Sequence, residues 1–163
     1  MKVRTITLHG AHNYGAMLQA YALNKTLKKL GHDVGVIDFN PQQNVKNNKK
    51  IKLSSNLRQM IKSIYGLQAF SAWRSRYNKF ETFKKGYMNL TTHYESYQDL
   101  KERPPEADAY ICGSDQIWNP ERSFKFPFFL NFGDSSIRRI SYAASFGVST
   151  VPPSNEEALD ELL

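Results

Sequence analysis

The spacing of apolar and polar positions changes several times along the chain, and each change marks an element. Residues 3–8, Val3-Arg4-Thr5-Ile6-Thr7-Leu8, alternate apolar and polar side chains, the period of a half-buried strand. From Ala16 the period lengthens: Met17, Leu18, Tyr21, Ala22 and Leu30 fall near helical spacing, and Gly31 follows as a stop signal. Val34-Gly35-Val36-Ile37-Asp38-Phe39 reads as a second strand ended by Asn40-Pro41. Strand, helix and strand together occupy about 37 residues, which suits a right-handed crossover between parallel strands.

Further along, the polar, asparagine- and lysine-rich residues 42–53 predict a loop. Leu57, Met60, Ile61 and Ile64 predict a short helix, and Phe70, Trp73, Tyr77, Phe80 and Phe83 lie on one face of a second, longer one. That aromatic stripe could be a binding surface, but core packing is the expected reading, because amphipathic helices bury such a face. Residues 97–102 read as a short helix, Pro104-Pro105 as a break, and residues 108–112 as a third strand whose near-continuous apolar character suits the middle of a parallel sheet. An irregular crossing over 114–127 leads to the apolar Phe128-Phe129-Leu130, and residues 139–146 form a fourth strand that runs into Gly147. After Val151-Pro152-Pro153-Ser154, residues 155–163 start an amphipathic helix with acidic residues in its first turn. No capping glycine follows, so the domain is expected to continue beyond Leu163.

Composition agrees with one soluble α/β domain: 163 residues, 40% hydrophobic and 23% charged, are enough for a single core and too few for two domains of ordinary size. No apolar run approaches the roughly 18 residues of a membrane span, and the N-terminus lacks the order of a signal peptide. A cytoplasmic location is the expectation. The single cysteine, Cys112, lies in the run Ala109-Tyr110-Ile111-Cys112, where a buried, inert thiol is expected over a reactive one.

The net charge of +7 is local. Between Asp38 and Glu81 there is no acidic residue, while Lys46, Lys49, Lys50, Lys52, Arg58, Lys62, Arg74, Arg76 and Lys79 supply nine of the 22 basic residues. The rest of the chain carries 13 basic against 15 acidic residues and is slightly acidic. A solvated basic excursion over 42–90 is the plainer reading. The same stretch also allows attraction to an anionic glycan, a phosphorylated substrate or the inner face of a membrane; no nucleic acid partner is expected.

Ligands of open parallel sheets bind beyond the carboxyl ends of the strands, so three loops carry the candidate chemistry. The first is His9-Gly10-Ala11-His12-Asn13-Tyr14-Gly15, where Gly15 permits a tight turn and the following helix amides favour a phosphate or carboxylate. Its glycines match neither a dinucleotide fingerprint nor a P-loop. For His12 and Asn13, capping and ligand contact weigh equally. The second is Gly113-Ser114-Asp115-Gln116-Ile117-Trp118-Asn119-Pro120, which concentrates a hydroxyl, a carboxylate, two amides and an indole at one strand end. Substrate contact explains that set better than local capping. The third is Ser145-Phe146-Gly147, where Ser145 would face the same cleft. His9, His12, His32 and His93 show no zinc spacing with Cys112, and no serine sits in a G-x-S-x-G elbow. An approach of His12 to Asp115 across adjacent strand ends is conceivable, and no catalytic residue is assigned.

Three ordered stretches, Asn13-Tyr14-Gly15-Ala16-Met17-Leu18-Gln19-Ala20-Tyr21-Ala22-Leu23, Asp108-Ala109-Tyr110-Ile111-Cys112-Gly113-Ser114-Asp115-Gln116-Ile117-Trp118-Asn119, and Ile140-Ser141-Tyr142-Ala143-Ala144-Ser145-Phe146-Gly147, closely resemble the N-terminal half of the polysaccharide pyruvyl transferase family. The resemblance implies that residues 1–163 are the Rossmann-like N-terminal domain of a two-domain, GT-B-like enzyme, truncated at its C-terminal end. It implies a transferase of bacterial cell-wall or exopolysaccharide synthesis that moves a pyruvyl group from phosphoenolpyruvate to a glycan or lipid-linked sugar as a ketal. Phosphoenolpyruvate would be the donor substrate, with no separate cofactor and no metal. By the same resemblance this half would mainly hold the acceptor, through His12, Asn13, Tyr14, Gly15, Ser114, Asp115, Gln116, Asn119 and Ser145, and would be inactive alone. A GT-B-like glycosyltransferase using a nucleotide sugar, or a non-catalytic module gripping an anionic glycan through its basic stretch, remain alternatives.

Overall fold

The structure, a computed structural model, describes residues 1–10, 12–39, 57–120 and 126–150, and for 57–69 the backbone alone. The loop expected over 42–53 and the helix expected over 155–163 lie outside the described residues. Among those described, five parallel strands form one sheet in the order β3-β2-β1-β4-β5: β1 (Lys2–Ile6), β2 (Asp33–Phe39), β3 (Leu90–Tyr94), β4 (Ala109–Gly113) and β5 (Arg138–Tyr142). This is the Rossmann-like α/β sheet that the strand-helix-strand pattern predicts. β1 pairs on one side with β2 (Val3 opposite Val34) and on the other with β4 (Val3 opposite Ala109). Chain order therefore reverses between β1 and β4.

Each face of the sheet carries its own core. Helix α1 (Tyr14–Lys29) and the C-terminal part of α2 (Leu57–Tyr87) cover one face, where Met17, Ala20, Phe80 and Met88 pack on Val36, and Leu23 and Leu27 pack on Val3, Val34 and Ile111. The other face buries Ile6, Leu8, Ile37, Phe39, Tyr110 and Cys112 against Leu100 of α3 (Tyr97–Glu102) and Phe128 of a 3-10 turn (Phe126–Phe129). Fully burying aliphatic and aromatic side chains of this size stabilises by about 1.5–3 kcal/mol each. β1 is thus buried on both faces rather than half-buried as its alternation suggested, with Val3 toward the helices and Ile6 toward the opposite core. Among the described residues no helix is long and apolar enough to cross a membrane.

Four expectations are corrected. The first strand stops at Ile6, because Thr7 and His9 close a tight turn in which His9 N donates to Thr7 O at 2.9 Å. The fourth strand stops at Tyr142, because Ala143 takes a left-handed φ of +51° that a ladder cannot continue. Two helices were expected over 57–83, but one 31-residue helix spans the region, between β2 and the parallel β3 in chain order. The strand β3 itself has no counterpart in the sequence reading.

The aromatic stripe of α2 is the fourth correction. Phe80 is buried and Phe83 half-buried, but Phe70, Trp73 and Tyr77 are 45%, 50% and 36% exposed. Length explains the difference: 31 residues of helix extend ~46 Å, whereas a five-residue strand extends ~17 Å. The sheet supports only part of such a helix.

Candidate functional site

A reversal of strand order opens a crevice at the carboxyl edge of a parallel sheet, since the loops on its two sides run to opposite faces. Here it lies between β1 and β4, the strands followed by the first two candidate loops. Thr7 and Gln19 tie them together: Thr7 Oγ1 donates to Gly113 O at 3.0 Å and accepts from Gln19 Nε2 at 2.7 Å. Thr7 is buried, so the hydroxyl acts as an internal strut. Gln19 Oε1, buried beside it, has no hydrogen-bond partner among the described residues.

On the β1 side, Asn13 caps α1, its Oδ1 accepting from Ala16 N at 3.2 Å. The first turn of α1 carries no acidic side chain, leaving the positive end of the helix dipole unopposed there. His12 does not turn toward Asp115. Its Nε2 lies 3.1 Å from Glu81 Oε1 on α2, its ring meets Tyr77 edge-on at 4.6 Å, and its carbonyl accepts from the Arg76 guanidinium at 2.9 Å. Burial pushes the Glu81 carboxyl up, but hydrogen bonds from Lys84 and His12 outweigh it and hold Glu81 below the usual carboxylate range. Tyr14 is exposed, its ring 4.8 Å from Phe80 and 5.7 Å from the Arg76 guanidinium.

On the β4 side, Ser114 leaves the strand at φ +53°, with its amide donating to Tyr142 O at 2.7 Å. A non-glycine residue in this region stores on the order of 1 kcal/mol, and here the link to β5 holds it in place. Asp115 accepts from Gln116 N at 2.7 Å through its own carboxylate. The loop is then laced to the one after β5: Ser145 N donates to Asp115 O at 3.1 Å, and Trp118 N donates to Ser145 O at 3.2 Å. Gly147 touches Gln116 so closely that an added Cβ would lie 2.5 Å from its Cδ. Ser114, Asp115, Gln116, Asn119 and Ser145 therefore share one rim, while His12, Asn13, Tyr14 and Gly15 share the neighbouring one.

A third group was missed by sequence reasoning. Asp38, near the end of β2, accepts from His9 Nε2 at 2.9 Å with one oxygen, and its other oxygen lies 3.0 Å from Nδ1 of His93 on β3. His9 is fully buried and its Nδ1 faces Thr7 O at 3.1 Å, whereas the His93 side chain is 46% exposed. Burial pushes Asp38 up, but the two histidine contacts outweigh that and keep its carboxyl below the ordinary range. A carboxylate that fixes Nδ1 of an exposed imidazole leaves Nε2 available for proton transfer or a hydrogen bond. Asp38 was legible as the polar residue at the end of a strand; its partner was not, because β3 had not been found. Among the described residues no three His, Cys, Asp or Glu side chains group as metal ligands.

The profile of the polysaccharide pyruvyl transferase family matches residues 13–163. No curated protein and no solved structure matches the chain. The match takes in α1 with its Asn13 cap, β4 with the Ser114 rim, and β5 with the Ser145 loop, while β1 precedes it. The chain belongs to the polysaccharide pyruvyl transferase family.

Proposed function

We propose that the protein transfers the enolpyruvyl-derived unit of phosphoenolpyruvate to a sugar of a cell-surface polysaccharide, forming a pyruvate ketal. Family membership supports the transferase and its polysaccharide acceptor. The observation that carries the reading to this chain is the strand-order reversal between β1 and β4, flanked by Asn13 on one side and by Ser114, Asp115, Gln116 and Ser145 on the other.

The chemistry sets what such a site must do. A proton is added to the methylene carbon of the donor, making the adjoining carbon electrophilic. One sugar hydroxyl adds there with loss of its proton, the carbon–oxygen bond to phosphate then breaks and inorganic phosphate leaves, and the second hydroxyl closes the ketal. Of the two hydroxyl protons, one replaces that taken up by carbon and the other goes to phosphate. Hydroxyls need acceptors that orient them, and the Asp115 carboxylate with the Gln116 and Asn119 amides are groups of that type. The positive end of α1, whose first turn carries no acidic side chain, suits an anionic group of either substrate. In this reading the rims are one wall of a cleft between two Rossmann-like halves of a GT-B arrangement, and the cationic clamp on phosphoenolpyruvate comes mainly from the facing half.

The test is incubation of the full-length protein with carbon-labelled phosphoenolpyruvate and de-ketalised cell-surface glycan. The expected result is acid-labile label in the glycan with one phosphate released per label. Glycan that stays unlabelled, while a labelled nucleotide sugar is consumed, overturns the reading in favour of a glycosyltransferase.

A further inference from the structure

Where α2 runs past the sheet, its inward stripe is exposed. Phe70 stacks on Trp73 with ring centroids 5.8 Å apart, Trp73 lies 5.4 Å from Tyr77, and Tyr77 meets His12 of the first rim at 4.6 Å. The three rings sit on the stripe that continues into buried Phe80, and every residue from 70 to 79 is exposed. Their side chains thus form a ladder ~10 Å long by helix rise, standing on the edge of the crevice.

We propose that this ladder is the binding platform for the acceptor glycan, a segment of more than one sugar that carries negative charge. The assignment of that glycan as acceptor rests on the transferase reading above. Flat, polarisable rings with a wet edge suit the apolar face of a sugar ring, as they suit other half-polar ligands. Continuity decides in favour of a substrate: the ladder ends on His12, whose carbonyl is gripped by Arg76, so a chain lying along it is delivered to the rim. Charge decides its sign. Arg74 and Lys79 stand exposed on the same stretch, and no acidic residue occurs between Asp38 and Glu81, so an anionic chain is attracted along the whole approach.

The experiment uses the full-length protein and short oligosaccharides cut from the de-ketalised cell-surface glycan. Trp73→Ala is expected to raise KM for the oligosaccharide about tenfold, the equivalent of one lost aromatic contact, and Phe70→Ala with Trp73→Ala further. KM for phosphoenolpyruvate and the circular dichroism spectrum are expected to stay unchanged, and Trp73→Phe to restore most of the affinity. Neutralising Arg74 and Lys79 together should weaken oligosaccharide binding most at low salt. An unchanged oligosaccharide KM overturns the proposal, as does an equal rise in both KM values. Loss of sedimentation with phosphatidylglycerol vesicles in Trp73→Ala, with oligosaccharide affinity intact, assigns the ladder to a membrane surface instead. If the wild type transfers no pyruvyl group, the transferase reading fails alone provided calorimetry shows oligosaccharide binding that Phe70→Ala/Trp73→Ala abolishes; without such binding both fail.

Discussion

His9 and Asp38 meet at 2.9 Å, Nε2 to Oδ1, with the imidazole wholly buried at the carboxyl edge of the sheet. The other ring nitrogen, Nδ1, lies 3.1 Å from Thr7 O, which also accepts from His9 N. Asp38 thereby holds His9 with one oxygen and orients His93 with the other. Its carboxyl is held below the ordinary range, so its stabilisation is complete above the unfolded value of about 3.9 and is lost as pH falls through the lower folded value. Glu81, also lowered, acts with the same sign. Unfolding free energy in urea is expected to fall steeply from about pH 4 downward. Asp38→Asn should cost about 1–3 kcal/mol at pH 7, since the amide offers one oxygen where the carboxylate offered two and leaves one of the two histidines without its acceptor, and should flatten that acid slope. Parallel acid slopes in the two proteins would show that Asp38 is not its source.

Asn13 offers a way to separate structure from ligand contact at the first rim. Its side chain caps α1 through Ala16 N, so Asn13→Ala should lower stability by about 1 kcal/mol in thermal unfolding. Asn13→Asp keeps a capping oxygen and should regain that stability. The carboxylate cannot donate, and it adds charge where an anion is expected; pyruvyl transfer by Asn13→Asp should therefore stay reduced about tenfold, the loss of one good hydrogen bond. Recovery of activity together with stability would assign Asn13 to capping alone.

Much of this arrangement was readable in the residues, and the gaps have physical causes. The loops after β1, β4 and β5 were legible because glycine, polar clusters and apolar runs mark strand ends in an α/β sheet. Strand β3 was not, because Leu90-Thr91-Thr92-His93-Tyr94 is an edge strand that buries fully only Tyr94 and so shows little alternation. With β3 went the Asp38–His93 contact, which depends on the two strands pairing in register. The fate of Phe70 and Trp73 was equally hidden: helical spacing shows which side chains share a face, but not where the sheet beneath it ends.

Cys112 tests the interior of the sheet. It is the only cysteine, buried in β4, and burial pushes its thiol up to about 11. The folded protein should resist a disulfide reagent at pH 8 over times in which the guanidinium-unfolded chain reacts fully, because both the thiolate and access are lacking. Reaction should follow global unfolding, with a rate that rises in the denaturant range where tertiary structure is lost. Rapid labelling under native conditions would mean that β4 opens locally and would weaken the account of a rigid second rim.

The second rim depends on Gly147, where two costs of substitution can be told apart. At φ +70° any L residue is strained by about 1–2 kcal/mol, and a Cβ would also lie 2.5 Å from Gln116 Cδ and 2.7 Å from its Cγ and Oε1. The clash is with a flexible, exposed side chain, which can swing away; the backbone cannot, because Ser145 N and Trp118 N fasten this loop to its neighbour. Gly147→Ala should therefore lose about 1–2 kcal/mol, and adding Gln116→Ala should recover little of it. Activity should behave differently, since the displaced amide no longer points as it did: Gly147→Ala should lose at least as much transfer as Gln116→Ala alone, with the rise in KM for the acceptor rather than for phosphoenolpyruvate. A double variant as stable as the wild type would reverse the ranking and make the contact with Gln116, not the left-handed backbone, the reason for glycine at this position.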